Sequence, residues 1–350
     1  MQHWRQPAYE SGKRDVLVAA LRRAGFADPA VAPLKPGNPG ERRRMDFAVR
    51  RNGGRVVLGL HRRRSAEIVD LATCLVLHPA LFALLDPLRV LLPRLGALRQ
   101  EGSVIANLLD SGPDLLLRTD APLHAADRTA LAEFARSHCL PRLAWAQGKS
   151  DAEPVVVLRP PVTSFAGVTV VPPPGAFLQA SSAGEAAIVA AALNALPSKG
   201  QVAELFAGCG TITFAMAQRT RVSAWEGDAA SVAALRTAAS RAGLAGRIAV
   251  ARRDLARQPL QALELRGFGA AVLDPPFAGA PAQTAQIVAA RVPVVIYVSC
   301  NPVTLARDAR LLHRAGFRLR VATPIDQFLW SERLESVCVF TAPPPPLRLA

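Results

Sequence analysis

The residue best suited to covalent chemistry in this chain is a cysteine that ends an apolar run. In VVIYVSCNP, Cys300 follows a continuous β-type stretch and precedes Asn301 and Pro302, so the backbone turns straight after the thiol. A thiolate suits addition to an electron-poor ring carbon. Uracil C6 is such a carbon, and its neighbour C5 is a poor nucleophile until something adds at C6 and pushes electron density onto C5. Once C5 has gained a substituent, its proton must leave before the thiol can be expelled, and a carboxylate is the obvious acceptor. The segment DQFLWSERLESVCVFT offers Glu332 and Glu335. Glu335 leads into a late apolar strand able to return it to a cleft, while Glu332 lies among polar loop residues and reads as surface, so spacing favours Glu335 only slightly. The competing account of Cys300 is an inert buried strand cysteine, the default for a lone one.

A second group of residues has the character of a cofactor site. AELFAGCGT sets Gly208 and Gly210 between a strand and a helix, with Glu204 inside the strand. Glycines let the chain turn sharply and bring backbone amides close to a ligand. The three-glycine dinucleotide form is absent, and an acid in the preceding strand is more typical of adenosylmethionine enzymes than of nicotinamide ones. The next strand ends in Glu226-Gly227-Asp228, where a carboxylate can accept both hydroxyls of a ribose. Asp254 follows the third strand, within range of an adenine edge, and Asp274 ends the fourth in VLDPPFAG, whose prolines form a rigid ledge. A blander account makes each acid a helix cap or a solvated loop residue. The Asp274 to Phe277 run also fits enzymes that methylate exocyclic amines, with the aromatic ring stacked on a flipped base, and that chemistry needs no thiol.

These residues fall where a doubly wound α/β sheet would put a site. From about residue 180, apolar strands alternate with amphipathic helices: QVAELFAG, RVSAWEGD, RIAVARRD, AAVLDPP and VPVVIYVSC read as strands, with helices at SAGEAAIVAAALNAL, TITFAMAQ and AASVAALRTAASRAG. Ligands in such sheets bind beyond the carboxyl ends of the strands. Upstream, RRMDFAVR, GRVVLGLHR and EIVDL read as consecutive strands, a Leu-rich helix runs from Pro79 to about Leu95, and further strands lie near 103–109, 114–119, 155–160 and 167–172, with a helix near 125–138. Residues 10–25 form a short surface helix with Val16, Ala19, Ala20 and Arg23 at helical spacing, and the Pro- and Gly-rich stretch 28–40 reads as a linker. The expected organisation is an amino-terminal helix and linker over 1–40, a small α+β RNA-binding domain over 41–172, and a Rossmann-like catalytic domain over 173–350.

Composition sets outer bounds. Half of the 350 residues are apolar, which excludes extended disorder, and 42 basic against 27 acidic side chains give a formal charge of +15. Such a field suits a polyanion, although a GC-rich genome also inflates arginine. Arg42 to Arg44, Arg50, Arg51 and Arg62 to Arg64 are candidate phosphate contacts, set against the alternative of a solvated face. Five cysteines form no CxxC pair, which argues against a disulfide scaffold or a self-contained zinc site. The first residues carry no leader-like apolar stretch and no run is long enough to span a membrane, so a cytoplasmic protein without membrane association is expected, with a monomer as the default.

The whole pattern resembles the RNA 5-methyluridine (uracil-C5) methyltransferase family over nearly the full chain. The most specific elements are YVSCNPVTLARDARLL and the late segment from Asp326 to Leu334-Glu335-Ser336. The resemblance implies S-adenosyl-L-methionine-dependent methylation of uracil C5 in RNA, with Cys300 as nucleophile and Glu335 as proton-abstracting base. It also implies that Gln179 in GAFLQAS, Phe206, Glu226 and Asp274 contact the cofactor, and that Gly208, Gly210 and Asp254 line the same pocket. The chain departs from the family pattern at Phe277, where an arginine is usual, and at Thr211, where an asparagine is common; the amino-terminal RNA-binding β-barrel of many relatives has no counterpart. Many relatives also hold a 4Fe-4S cluster on a cysteine run that ends just before a Gln-His pair. This chain opens Met1-Gln2-His3-Trp4 and keeps only Cys74 at the position of the fourth ligand. Because one thiolate cannot hold a cluster, no metal site is expected unless the native product extends upstream, which is the expectation the abrupt opening suggests. These echoes point to the 23S rRNA branch, with tRNA as the other substrate. An amino methyltransferase and a catalytically inactive RNA-binding homologue are the remaining alternatives.

Overall fold

A computed structural model describes residues 1–344 of the chain. Its first helix, α1 (Gln6–Ala24), is longer than residues 10–25 and buries one face while the other is exposed. The buried positions are Tyr9, Lys13, Leu17, Ala20, Leu21 and Ala24, a stripe at three- and four-residue spacing. This face is displaced from the expected one because Tyr9 and Lys13 do not read as apolar positions in the sequence. The Pro-rich stretch that follows is also no free linker. Ala32 N–H donates to Ala322 O and Lys35 N–H to Pro324 O, both at 2.9 Å, so the segment runs as a partial edge strand.

The described residues divide into two compact units, residues 1–37, 165–168 and 183–344 forming one, and 38–164 and 169–182 the other. The stretch expected to stand apart at the amino terminus thus belongs with the carboxyl-terminal unit, because its apolar stripe is buried there. In chain order the second unit carries β1 (Arg44–Asn52), β2 (Arg55–His61), β3 (Ile68–Asp70), α2 (Pro79–Phe82), α3 (Leu85–Leu91), β4 (Glu101–Leu109), β5 (Gly112–Thr119), α4 (Ala125–Ser137), β6 (Arg142–Gln147) and β7 (Glu153–Val157). Its sheet has the order β3-β2-β1-β4-β5-β6-β7, antiparallel except between β5 and β6. The expected single Leu-rich helix is two short ones. Pro87 has no N–H to offer the carbonyl of Ala83 and its ring crowds that carbonyl, so α2 stops and α3 restarts with the proline in its first turn. Leu81, Leu85, Leu88 and Leu92 still fill the core of the unit. A short hairpin of β8 (Thr163–Phe165) and β9 (Val168–Val170) follows.

The first unit continues with α5 (Ser182–Ala195), β10 (Gln201–Leu205), α6 (Thr213–Ala217), β11 (Val222–Glu226), α7 (Ala229–Arg241), β12 (Ile248–Arg252), β13 (Phe268–Leu273), α8 (Pro281–Ala290), β14 (Val294–Ser299), α9 (Pro302–Arg314), β15 (Arg318–Ile325) and β16 (Glu335–Thr341). The sheet order is β12-β11-β10-β13-β14-β16-β15, with β10 to β14 parallel and β16 inserted antiparallel between β14 and β15. This is the class I adenosylmethionine-dependent methyltransferase fold. The direction of strand order reverses at β10 and β13, so the carboxyl ends of these strands open a crevice. The core joins Leu17 and Leu21 of α1 to Tyr297, Leu305, Leu312 and Phe340. Among the described residues, no helix is long and apolar enough to cross a membrane.

Candidate active site

The turn after β10 is built for a close approach. Phe206 takes φ +65°, a left-handed conformation that is uncommon for a bulky residue, and Gly208 and Gly210 follow at +55° and +100°. A Cβ added at Gly210 would lie 2.5 Å from Leu235 Cδ1 and 2.6 Å from Phe214 Cε2, whereas one at Gly208 would meet nothing within 4 Å. Gly210 is therefore required by packing, while Gly208 keeps a surface clear. Across the turn, Glu226 accepts from Gly208 N–H at 2.9 Å and from Asp228 N–H at 2.8 Å, which fixes its carboxylate at the tip of β11 with lone pairs to spare. Glu204, only 3% exposed, has an oxygen without a hydrogen-bond partner. Burial pushes its carboxyl up to about 8, and the charges of Asp274 and Glu226 add to the rise. The open ledge at Gly208, the fixed carboxylate and the orphaned buried oxygen fit a ligand with ribose hydroxyls and a positive charge. Asp228 and Asp254 do what the blander account gave them. Asp228 caps α7 through Ser231 N–H at 2.7 Å, and exposed Asp254 accepts from Ala256 and Arg257 N–H at 3.1 and 3.2 Å.

Cys300 follows β14 at its carboxyl end and is half-buried. Strand β16 pairs with β14 as far as Ser299 opposite Ser336, so Cys300 and Glu335 each lie one residue beyond that last pair, and the Glu335 carboxyl acts on the thiol. Glu335 is 3% exposed and accepts from Gln327 Nε2 at 2.6 Å through one oxygen. Its other oxygen has no hydrogen-bond partner. Burial pushes this carboxyl well up, and the negative charge of Asp274 pushes it further. Burial also raises the Cys300 thiol to about 11, helped by Glu335 and Asp274 and opposed by Arg333. Asp274, at the end of β13, is thus the charge common to Glu204, Glu335 and Cys300. Glu332 is exposed.

The thiol loop and the Asp-Pro-Pro loop are tied together by α9. Asn301 caps the helix, its Oδ1 accepting from Val303 N–H at 3.0 Å while its Nδ2 donates to Phe277 O at 3.0 Å. Farther along, Asp308 Oδ2 accepts from Ala280 N–H at 2.7 Å and from Tyr297 Oη at 2.6 Å, and Arg307 donates to Ala278 O at 2.8 Å. The ledge expected from the prolines is therefore held mainly by a helix that sequence reading did not use. Phe277 projects outward, and the guanidinium of Arg333 lies 5.4 Å from its ring centre. Where the resemblance led one to expect an arginine after Asp-Pro-Pro, a guanidinium arrives from another element.

Sequence reading also missed what holds the segment between β15 and β16. Lys13, wholly buried, pairs with Asp326 at 2.8 Å and donates to Phe328 O and Arg333 O at 3.1 and 2.6 Å. Tyr9 Oη donates to Asp326 Oδ2 and accepts from Trp330 N–H at 2.8 Å. The one available signal was the four-residue spacing of Tyr9, Lys13 and Leu17.

In the second unit, Gln179 is buried and its carbonyl accepts from Arg43 Nε at 3.1 Å. Two of the arginines considered for phosphate contact are committed internally. Arg43 also donates to Ser182 Oγ at 3.2 Å, and Arg51 caps the carbonyls of Leu92, Pro93 and Leu95 at 2.8 to 3.3 Å. Arg44 is largely buried with its guanidinium 5.3 Å from the Phe177 ring centre, and Arg50 pairs with Glu101 at 2.7 Å. Arg62 to Arg64 occupy an exposed turn between β2 and β3. Cys74 is half-buried against the Leu-rich core, and among the described residues no three His, Cys, Asp or Glu side chains gather to hold a metal. The residues around Cys74 do not fit a 4Fe-4S cluster.

Comparison with known proteins agrees with this geometry. A family model described as tRNA (Uracil-5-)-methyltransferase matches residues 173–342. An uncharacterized RNA methyltransferase of Brucella suis is 39% identical over 345 residues, covering 97% of this chain and 81% of the relative. The 23S rRNA (uracil(1939)-C(5))-methyltransferase RlmD of Pectobacterium atrosepticum is 35% identical over 355 residues, covering 97% of this chain and 76% of that one. The chain belongs to the RNA uracil-C5 methyltransferase family. Members of this family are adenosylmethionine-dependent enzymes, and S-adenosyl-L-methionine is the cofactor that the crevice at Gly208 and Glu226 suits. The same fold is seen in the crystal structure of Pyrococcus abyssi tRNA (uracil-54, C5)-methyltransferase in complex with S-adenosyl-L-homocysteine. That chain has a TM-score of 0.71 at 18% identity, with coverage of 97% of this chain and 84% of that one.

Proposed function

We propose that this enzyme methylates C5 of a uridine in 23S rRNA, with Cys300 as nucleophile and Glu335 as base. The observation that carries the proposal is the β14–β16 register, which brings a half-buried thiol and a buried carboxylate together beside Asp274 at the mouth of the crevice. The exocyclic-amine alternative would use the exposed Phe277 ring for stacking and has no use for the thiol and the buried carboxylate beside Asp274. The 23S substrate rests on the likeness to a 23S rRNA enzyme along 97% of this chain. The cofactor would be held by Glu226, the Phe206 to Gly210 turn and Asp274.

S-adenosyl-L-methionine, when bound, supplies an electrophilic methyl group. The Cys300 thiolate adds to C6 of a uracil turned out of its stack, and the electron pair of the C5–C6 double bond moves onto C5. C5 would then take the methyl group that the bound cofactor supplies, the electron pair of the methyl–sulfur bond leaving with the sulfur. Glu335 then accepts the C5 proton, the C–H electrons restore the double bond, and the C6–S bond breaks to return the thiolate. A carboxylate whose proton affinity is raised by burial is a better proton acceptor than an exposed one. The exposed Arg62 to Arg64 turn supplies phosphate contacts within an RNA-binding second unit.

The test uses purified protein, labelled S-adenosylmethionine, and ribosomal and transfer RNA fractions lacking 5-methyluridine, with nucleosides identified by mass. Label in 5-methyluridine of the ribosomal fraction, lost in Cys300→Ala while cofactor binding persists, is the expected result. Label in transfer RNA alone would move the substrate. Methylated adenine or cytosine formed without need of Cys300 would overturn the mechanism.

A further inference from the structure

We propose that Arg333 is a positioning residue for the nucleophile, its guanidinium held on the Phe277 ring beside the thiol loop so that its positive charge favours the Cys300 thiolate. This rests on Cys300 being the reactive thiol, and it adds a function for the Arg333–Phe277 pair. Four contacts fix the arrangement. Phe277 cannot drift from the thiol loop, because its carbonyl accepts from Asn301, the residue next to Cys300. The Arg333 guanidinium stacks on the Phe277 ring at 5.4 Å. The Arg333 backbone is pinned on both sides, its N–H donating to Ser331 Oγ at 3.1 Å and its carbonyl accepting from buried Lys13 at 2.6 Å.

Three charges act on the thiol. Glu335 from β16 and Asp274 from the end of β13 both oppose a thiolate, as does burial, and Arg333 is the cation acting in the opposite direction. A carboxylate must stand beside the sulfur to collect the C5 proton, so a nearby cation is what keeps addition to C6 within reach. Because Arg333 is itself exposed, its effect is screened by solvent and salt.

The experiment is peptide-resolved alkylation of the full-length protein with iodoacetamide from pH 7 to 10.5, reading Cys300 by mass and using exposed Cys139 in the same sample as an internal standard. Arg333→Gln should slow Cys300 alkylation about twofold to fivefold at fixed pH and displace its profile to higher pH. These effects should shrink at high salt, and Arg333→Lys should retain much of the wild-type rate. Phe277→Ala should act in the same direction, since it removes the platform. An unchanged Cys300 profile in Arg333→Gln, with Cys139 also unchanged, overturns the proposal. The readout needs neither RNA nor methyl transfer. A null result beside Cys300-dependent methylation sinks the assignment of Arg333 alone, whereas a shifted profile in a protein that methylates no RNA sinks the proposed function alone.

Discussion

Lys13→Met removes one half of an ion pair from which water is excluded. Lys13 and Asp326 have side chains 0% and 1% exposed and meet at 2.8 Å, and the ammonium also serves the carbonyls of Phe328 and Arg333. Burial lowers the proton affinity of Lys13, and Asp326 works against that shift, so the pair is held by its partners and not by solvent. Taking one partner from such a pair costs about 3 to 5 kcal/mol, because the other charge stays buried without compensation. The methionine keeps the apolar stem, so lost packing adds little. Against a total stability of about 5 to 15 kcal/mol this is a large share. Adding Asp326→Asn removes the stranded charge, and the double variant should be about 1 to 3 kcal/mol more stable than Lys13→Met, although the carbonyls of Phe328 and Arg333 still lack their donor. Urea unfolding of the wild type, both single variants and the double variant gives the cycle. A cost below about 1 kcal/mol for Lys13→Met, or no recovery in the double variant, would refute the view that α1 anchors the segment leading into Glu335.

Glu335→Gln is close in shape and leaves Gln327 an acceptor, so it should fold normally but lack the base. Methyl transfer to C5 can then occur without release, and turnover should fall about 100- to 10,000-fold as a denaturation-resistant protein–RNA adduct accumulates, visible on a denaturing gel with labelled RNA. Gly210→Ala should destabilise the fold by more than about 2 kcal/mol, because its Cβ meets Leu235 and Phe214 and φ is +100°, whereas Gly208→Ala should cost about 1 kcal/mol and chiefly weaken cofactor binding; thermal melts and calorimetric titration with S-adenosylhomocysteine separate the two. The Cys300 thiol lies up near 11, above its ordinary value, so the thiolate fraction of the free enzyme is small at neutral pH and increases with pH. Cys300 alkylation should rise about tenfold per pH unit from 7 to 10 without a plateau, and a plateau at neutral pH would contradict the acidic surroundings.

The local signals were strong at the ends of the parallel strands. An apolar run stopped by Cys300-Asn301-Pro302, a glycine turn after Glu204, and acids closing successive strands can be read directly, since strand, turn and cap preferences depend on neighbours in sequence. The same locality misassigned α1, whose buried face includes Tyr9 and Lys13, residues whose polar tips make sense only once Asp326 is placed opposite them. It also left Glu335 barely ahead of Glu332, because no spacing rule foretells that the last strand inserts antiparallel between β14 and β15; that register, and nothing nearby in sequence, brings Glu335 and Cys300 each to one residue beyond the last pair. Arginine runs suffered likewise. Arg43 and Arg51 look like surface charge in one dimension, and the tertiary structure commits them to carbonyls and a hydroxyl that only folding brings within reach. Which groups can react was therefore decided by residue type and strand order in the sequence. Which groups face one another, and hence which charges a thiolate must overcome, was decided by the long-range pairing of chain segments more than 300 residues apart for Lys13 and Asp326, and 35 apart for Cys300 and Glu335.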